Sequence, residues 1–263
     1  NYLLEVSMEV NHSPQRNEDR TGSDPFALMS YRASIAPTTA LDLISIDRTT
    51  GKVMITAGPD HEPVEVSVLA KMDGGIGDAV VDFFVRQLKE HPDYIFEEGE
   101  HSALLCAPTT SDPSAVYQLA VGEEPLTWHR HPSCAHRIIT VTTGSGGAEA
   151  RFSFATEDEI RADPTALIRK MVIIELPADA QICIRFNGRT YHQFGPHKEG
   201  HSAFAGISVH KNERDEIREV QGNEQDDRVL GSIPMLTHCV SEVVSLALNL
   251  PGNLVEVPRI QVI

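Results

Sequence analysis

The sequence predicts a mainly β protein: a small barrel or sandwich over residues 115–210, preceded by an α+β extension and followed by a charged linker and a C-terminal helix. Three observations carry this prediction. Short apolar runs separated by turn residues recur across 115–210, as in antiparallel sandwiches and barrels. Clear helical spacing occurs at only two places, Asp78 to Glu90 and Pro234 to Leu248. Seven of the twelve histidines lie between His129 and His210, so the chemistry of the chain is expected inside its strand-rich part.

Residues 1–36 are polar with little periodicity, and Asn11 to Asp24 reads as loop. Leu41 to Ile46 and Val53 to Ile55 are apolar runs joined by the turn-rich Asp47-Arg48-Thr49-Thr50-Gly51, which predicts a β-hairpin. Val64 to Leu69 alternates as a third strand. Asp78 to Glu90 then carries Val80, Val81, Phe84, Val85 and Leu88 at helical spacing, with Asp78 as N-cap and His91-Pro92 as the stop. The preceding Gly74-Gly75-Ile76-Gly77 matches neither GxGxxG nor GxxxxGK[ST], and reads as a flexible helix entry. The barrel strands are predicted at Ala115 to Val121, Arg137 to Thr143, Ala150 to Phe154, Met171 to Leu176, Ile182 to Phe186 and Ala203 to His210. A charged, helix-forming insertion, Thr156 to Lys170, interrupts them. Lys211 to Arg228 is a solvated linker or helix. Leu236, Val240, Val243 and Val244 share one helical face, so the C-terminal helix is expected to pack back on the core. The division is therefore an extension at 1–114, whose strands add to the barrel sheets, a barrel at 115–210, and a linker with helix at 211–263.

Hydrophobic residues at 41% with 23% charged are ordinary for a soluble chain that buries a real core. A net charge of −16 argues against nucleic acid and anionic membranes as partners. Cys106, Cys134, Cys183 and Cys239 are widely spaced with no Cys-x-x-Cys pair, as expected of reduced thiols in a cytoplasm. No apolar run approaches the roughly 18 residues of a membrane span, and the first residues show no signal-peptide pattern. There is no Gly-x-Ser-x-Gly elbow, and Glu97-Glu98 and Asp226-Asp227 read as solvated charge.

The densest chemical signal is Trp128-His129-Arg130-His131-Pro132-Ser133-Cys134-Ala135-His136, three imidazoles within eight residues. Imidazole is the commonest protein metal ligand, and a His-x-His pair on a strand points both rings the same way. Gly122, six residues, His129-x-His131, four residues, His136, seven residues and Gly144 make a pattern with a Gly-rich turn behind it. Downstream, Phe186-Asn187-Gly188-Arg189-Thr190-Tyr191-His192-Gln193-Phe194 brings a further histidine beside a strand.

Together these segments resemble the two motifs of the cupin superfamily, the first a glycine, His-x-His, a glutamate and a glycine, the second Pro-x-Gly followed by histidine. His136 stands where the family usually has glutamate, and Phe186 where it has proline. The resemblance covers residues 115–210 and implies a double-stranded β-helix. It further implies a divalent metal held by His129, His131 and His192, with His136 as a fourth ligand or beside the site. All-nitrogen ligation suits iron, zinc, copper, nickel and cobalt better than magnesium or calcium, and the resemblance puts Fe(II) first, with zinc, nickel, copper or manganese as alternatives. Family members with such sites include oxygenases, so the resemblance implies a non-haem iron dioxygenase acting on a small acidic or chelating metabolite. A metal-dependent isomerase, lyase or hydrolase, or a non-enzymatic small-molecule-binding cupin, are the alternatives. Tyr191, Arg189 and Arg185 are the residues expected to orient an acidic substrate, since Arg pairs bidentately with carboxylates. Homodimers joined by sheet edges are also implied by the resemblance.

Overall fold

A computed structural model describes residues 33–34, 44–47, 52–57, 61–97, 99–131, 136–213, 238–241, 244–245, 248 and 257–262. The elements before the predicted barrel are β1 (Ala33–Ser34), β2 (Ile44–Asp47), β3 (Lys52–Ala57), β4 (Val64–Lys71), α1 (Gly77–Lys89), β5 (Tyr94–Glu97) and β6 (Glu100–Cys106). Then come β7 (Ala115–Val121), β8 (His129–Arg130), β9 (His136–Thr143), β10 (Ala148–Ser153), α2 (Glu157–Ala162), α3 (Ala166–Arg169) and β11 (Met171–Leu176). The chain continues with β12 (Ala180–Asn187), β13 (Tyr191–Pro196), β14 (Phe204–His210), β15 (His238–Cys239) and β16 (Arg259–Gln261).

The eight strands β7 to β14 pair antiparallel as nested hairpins: β7 with β14, β8 with β13, β9 with β12, and β10 with β11. A long hairpin rolled on itself in this way is a jelly roll. The larger sheet runs β2-β3-β4-β12-β9-β14-β7-β6-β5 and the smaller β1-β16-β11-β10-β13-β8-β15. The chain therefore has a jelly-roll double-stranded β-helix, the architecture that the two motifs imply. Alternation drives it. Ile139 and Val141 of β9 and Ile182, Ile184 and Phe186 of β12 face Ala150 and Phe152 of β10, Val172 and Ile174 of β11 and Phe194 of β13 in one buried cluster. Burying such side chains contributes about 1.5–3 kcal/mol each.

The elements outside the eight strands mostly widen the two sheets. The expected hairpin is β2 and β3, and the expected third strand is β4, which pairs with β12. β5 and β6, which the apolar pattern did not predict, extend the other edge through β7. Helix α1 lays Val81 and Leu88 on Ala103, Ala120 and Ala205, on the outer face of the larger sheet. Asp78 is not its N-cap; Ile76 holds that position. The Asp78 carboxylate instead accepts from the Ser145 N–H at 2.8 Å and pairs with His201 at 2.7 Å. Asp179 accepts from the N–H groups of Gly75 and Gly77, so the glycine run pins the helix entry to the roll. A Cβ on Gly77 would lie 2.3 Å from the Thr143 carbonyl oxygen. The charged insertion is α2 and α3, and the Thr156 and Glu159 side chains form a capping box at the start of α2.

The C-terminal helix expected from residue 234 is corrected at its start, because His238–Cys239 is a strand against β8. The edge of β8 offers backbone groups for pairing, and that pairing overrides helical periodicity there. Val244, Ser245 and Leu248 are helical, and Val244 and Leu248 are buried. The Asn11 to Asp24 loop, Cys134 and residues 214–228 of the charged linker lie outside the described residues. Among the described residues no helix is long and apolar enough to cross a membrane.

Candidate functional site

The nested pairing sets His192 of β13 directly opposite His129 of β8. His131 follows two residues after His129, and its backbone N–H is held by the Gly188 carbonyl at 2.8 Å. The three rings meet inside the roll, with centroids 4.3 Å apart for His129 and His192, 5.2 Å for His131 and His192, and 5.5 Å for His129 and His131. All three side chains are buried, and their ligand atoms lie within 4.8 Å of one another.

His129 Nδ1 lies 2.8 Å from the Thr127 carbonyl oxygen and His192 Nδ1 lies 2.8 Å from that of Thr190. A carbonyl only accepts, so each Nδ1 carries the hydrogen and each Nε2 the lone pair. Tethering one ring nitrogen in this way fixes both tautomer and orientation in metal-ligating histidines. Burial, followed by the Arg137 charge, holds His131 well below the usual imidazole range. Burial, followed by the neighbouring His129, does the same for His192, although the Thr190 carbonyl acts the other way. Neutral imidazoles are the form that binds metal. This donor set fits a divalent transition metal.

The histidines line a cavity of about 60 Å³, room for several water-sized groups. Its wall is in part apolar, from Phe186 and Phe194, whose rings lie 4.6 and 5.5 Å from that of His192. Arg137 enters it from the start of β9 and is 1% exposed. His210 enters from the end of β14, with its ring 5.8 Å from that of His131. The wholly buried Glu213 accepts from Tyr117 Oη at 2.5 Å and from His210 Nδ1 at 2.7 Å. Since a carboxylate accepts, His210 Nδ1 carries the hydrogen and Nε2 the lone pair. Burial and the Arg137 charge push His210 down to about 4. Glu100 also lines the cavity, and desolvation pushes its carboxyl up to about 7.

Four expected site residues lie elsewhere. His136 is corrected from fourth ligand to an outward position. Along β9 the buried residues are Arg137, Ile139, Val141 and Thr143, so strand parity turns His136 to the other face. There its Nε2 lies 2.9 Å from Glu62. Tyr191 precedes the inward His192 and therefore faces out, packing with Met171, Ile173 and Val244 while accepting from Arg130 Nε at 3.2 Å. Arg189 is exposed in the turn after β12 and lines a separate groove with Arg130 and Tyr191. Arg185 lies on the outer face of β12 and pairs with Glu65, which Lys52 also engages. None of the three reaches the histidine cavity.

Sequence reasoning missed Arg137, Tyr117, Glu100 and the pairing of His210 with Glu213. Arg137 was hidden because Ile138 and Ile139 are both apolar, which blurs the alternation that would have aimed it inward. The spacing of His210 and Glu213, three residues apart, was the available sign of their pairing.

A second group has metal-ligand spacing: Glu149, Glu175 and His197, on the outer side of the smaller sheet. Arg259 donates to both carboxylates and Arg151 to Glu149.

No protein-family model matches the chain, and no curated protein matches it. Among solved structures it is similar to a Shewanella oneidensis protein at 10% identity, covering 63% of this chain and 87% of that one, with a TM-score of 0.38. A cupin 2 domain-containing protein from Halorhodospira halophila is similar at 11% identity, over 50% of this chain and 88% of that one, with a TM-score of 0.30. Bacillus subtilis oxalate decarboxylase, described with Mn(II) centres, is similar at 14% identity over 59% of this chain and 41% of that one, with a TM-score of 0.34.

Proposed function

We propose that this cupin-fold chain is a metal-dependent enzyme that oxidises a small acidic or chelating metabolite with O2. The observation that carries the reading is the set of three buried histidines in one cavity, two of them with Nδ1 tethered to a backbone carbonyl. His129, His131 and His192 would hold a divalent transition metal, Fe(II) first. Such an ion supplies Lewis acidity and, as iron, the capacity to activate O2. The expected cytoplasmic location would keep iron ferrous.

The chain's own residues do the rest. Phe186 and Phe194 limit water around the histidines. Glu213 and Tyr117 fix the His210 ring, whose Nε2 is a proton acceptor at the cavity wall. Glu100, titrating near neutrality, holds or releases a proton there.

The same pair of proton-transferring groups favours a second reading, a metal-dependent isomerase or lyase that needs no O2. The test begins with protein purified without chelator. About one transition metal per chain is expected, with oxygen uptake on a panel of small hydroxy, keto and dicarboxylic acids. His129→Ala should lose both metal and uptake. Turnover that persists without oxygen would select the second reading, and a chain that holds no metal would end both.

A further inference from the structure

We infer that Arg137 sets the substrate class of the cavity: it takes a carboxylate of a small two-headed acid whose other end sits at His129, His131 and His192. The inference rests on the metal reading above for that second end only.

The first support is placement. Arg137 and the three histidines line one cavity of about 60 Å³, and the Arg137 charge acts on both His131 and His192. The second is charge. Three neutral imidazoles bring nothing to offset a divalent ion, and Arg137 adds a further positive charge in a buried setting. The carboxylates nearby are Glu97, Glu100 and Glu213. Glu213 is engaged by Tyr117 and His210, and desolvation pushes the Glu100 carboxyl up to about 7, so it carries only part of a charge near neutral pH. Glu97 is one carboxylate at the same wall against the two charges of an ion and the guanidinium, so the balance favours an acidic occupant. The third is chemistry. A guanidinium offers five N–H donors in a planar fork that matches a carboxylate, so it can hold a ligand while also bonded within the protein. Phe186 and Phe194 supply an apolar wall for the carbons between the two ends.

Parity places this arginine in the site. In a strand where His136 turns outward, its neighbour must turn inward. The position that the resemblance gives to a metal-binding carboxylate is thus taken over by a cation one residue on, and the cavity exchanges a fixed negative charge for a place that accepts one.

The test uses the full chain loaded with zinc and two probes of matched size, malonate and its monoamide malonamate, with affinities read by calorimetry. The unaltered protein should bind malonate about tenfold or more tighter than malonamate, as expected for one added charge-assisted pair. Arg137→Met should erase that preference at unchanged zinc content, and Arg137→Lys should keep part of it. Equal binding of the two probes by the unaltered protein, or a preference that survives in Arg137→Met, would overturn the inference. If Arg137→Met does not fold, Arg137→Lys decides: chelation of zinc by malonate is the same there, so the preference should fall, and an unchanged preference would overturn the inference. A chain that prefers malonate yet holds no zinc would refute the metal reading and leave the role of Arg137 standing.

Discussion

Two places among the described residues set three metal-ligand atoms within 4.8 Å of one another, and they differ in what else engages those atoms. In the roll, His129, His131 and His192 are buried, and backbone carbonyls hold Nδ1 of His129 and of His192, which fixes the tautomer of both rings. On the outer side of the smaller sheet, Glu149 and Glu175 already accept from Arg259, and Glu149 also from Arg151. Burial alone would raise the Glu149 pKa, but the bonds from Arg259 and Arg151 outweigh it and hold the carboxyl below its usual range. Spacing alone does not make a metal site; the occupied lone pairs decide it.

The sharpest way to break this contrast is to remove one ligand from each group. His192→Ala should lower metal affinity by roughly 100-fold or more, while Glu149→Gln or His197→Ala should leave metal content unchanged; outer partners of a metal site alone are worth about 10–100-fold. Equal losses in both groups, measured by metal analysis after dialysis, would erase the distinction. Next in size is Glu100→Gln. The Glu100 carboxyl is pushed up to about 7, so the folded chain binds a proton there that the unfolded chain has already released above about 4.5. Burying the charged form destabilises the fold at high pH, and the variant should gain in Tm over the unaltered protein more at pH 8 than at pH 5. A difference independent of pH would refute the assignment.

Arg259→Met should lower Tm by about 2–4 °C, since its pairs are partly exposed and worth about 1 kcal/mol. The Glu149 carboxyl is lowered by its partners, so its contribution is present above about 4.5 and is lost as pH falls through the folded value. The Arg259→Met deficit should therefore shrink on acidification. The smallest effect is expected of His136→Ala, whose partly exposed pair with Glu62 is worth about 0–1 kcal/mol. Its metal content should match the unaltered protein, and a loss comparable to that of His192→Ala would return His136 to the ligand set.

Much of this was legible in the residues. The inward sets of β11 and β12 are apolar, as are Ile139 and Val141 in the middle of β9, so these strands stood out, and the His-x-His pair with a later histidine pointed at the cavity where the three rings meet. The orientation of single side chains was less legible. Arg137 and His136 differ by one position, and with Ile138 and Ile139 both apolar no local signal says which of the two faces in. Tyr191 sits beside His192 in sequence and on the opposite face in space. Tyr94–Glu97 and Glu100–Cys106 were passed over because they lack strict alternation; pairing with the edge of β7 makes them strands. That pairing joins distant segments and leaves no trace within a short window.

The nested pairing also sets an order of assembly. β10 and β11 are the innermost pair, and each pair outside it closes a longer loop, with β8 and β13 next to last and β7 and β14 last. Longer loops cost more entropy to close, and distant pairings form slowly. The histidine cluster is therefore finished late, because His192 meets His129 only when the penultimate turn of the roll is in place. A ligand that needs all three rings binds the completed chain and not its half-rolled precursors, and so draws the folding equilibrium forward by mass action.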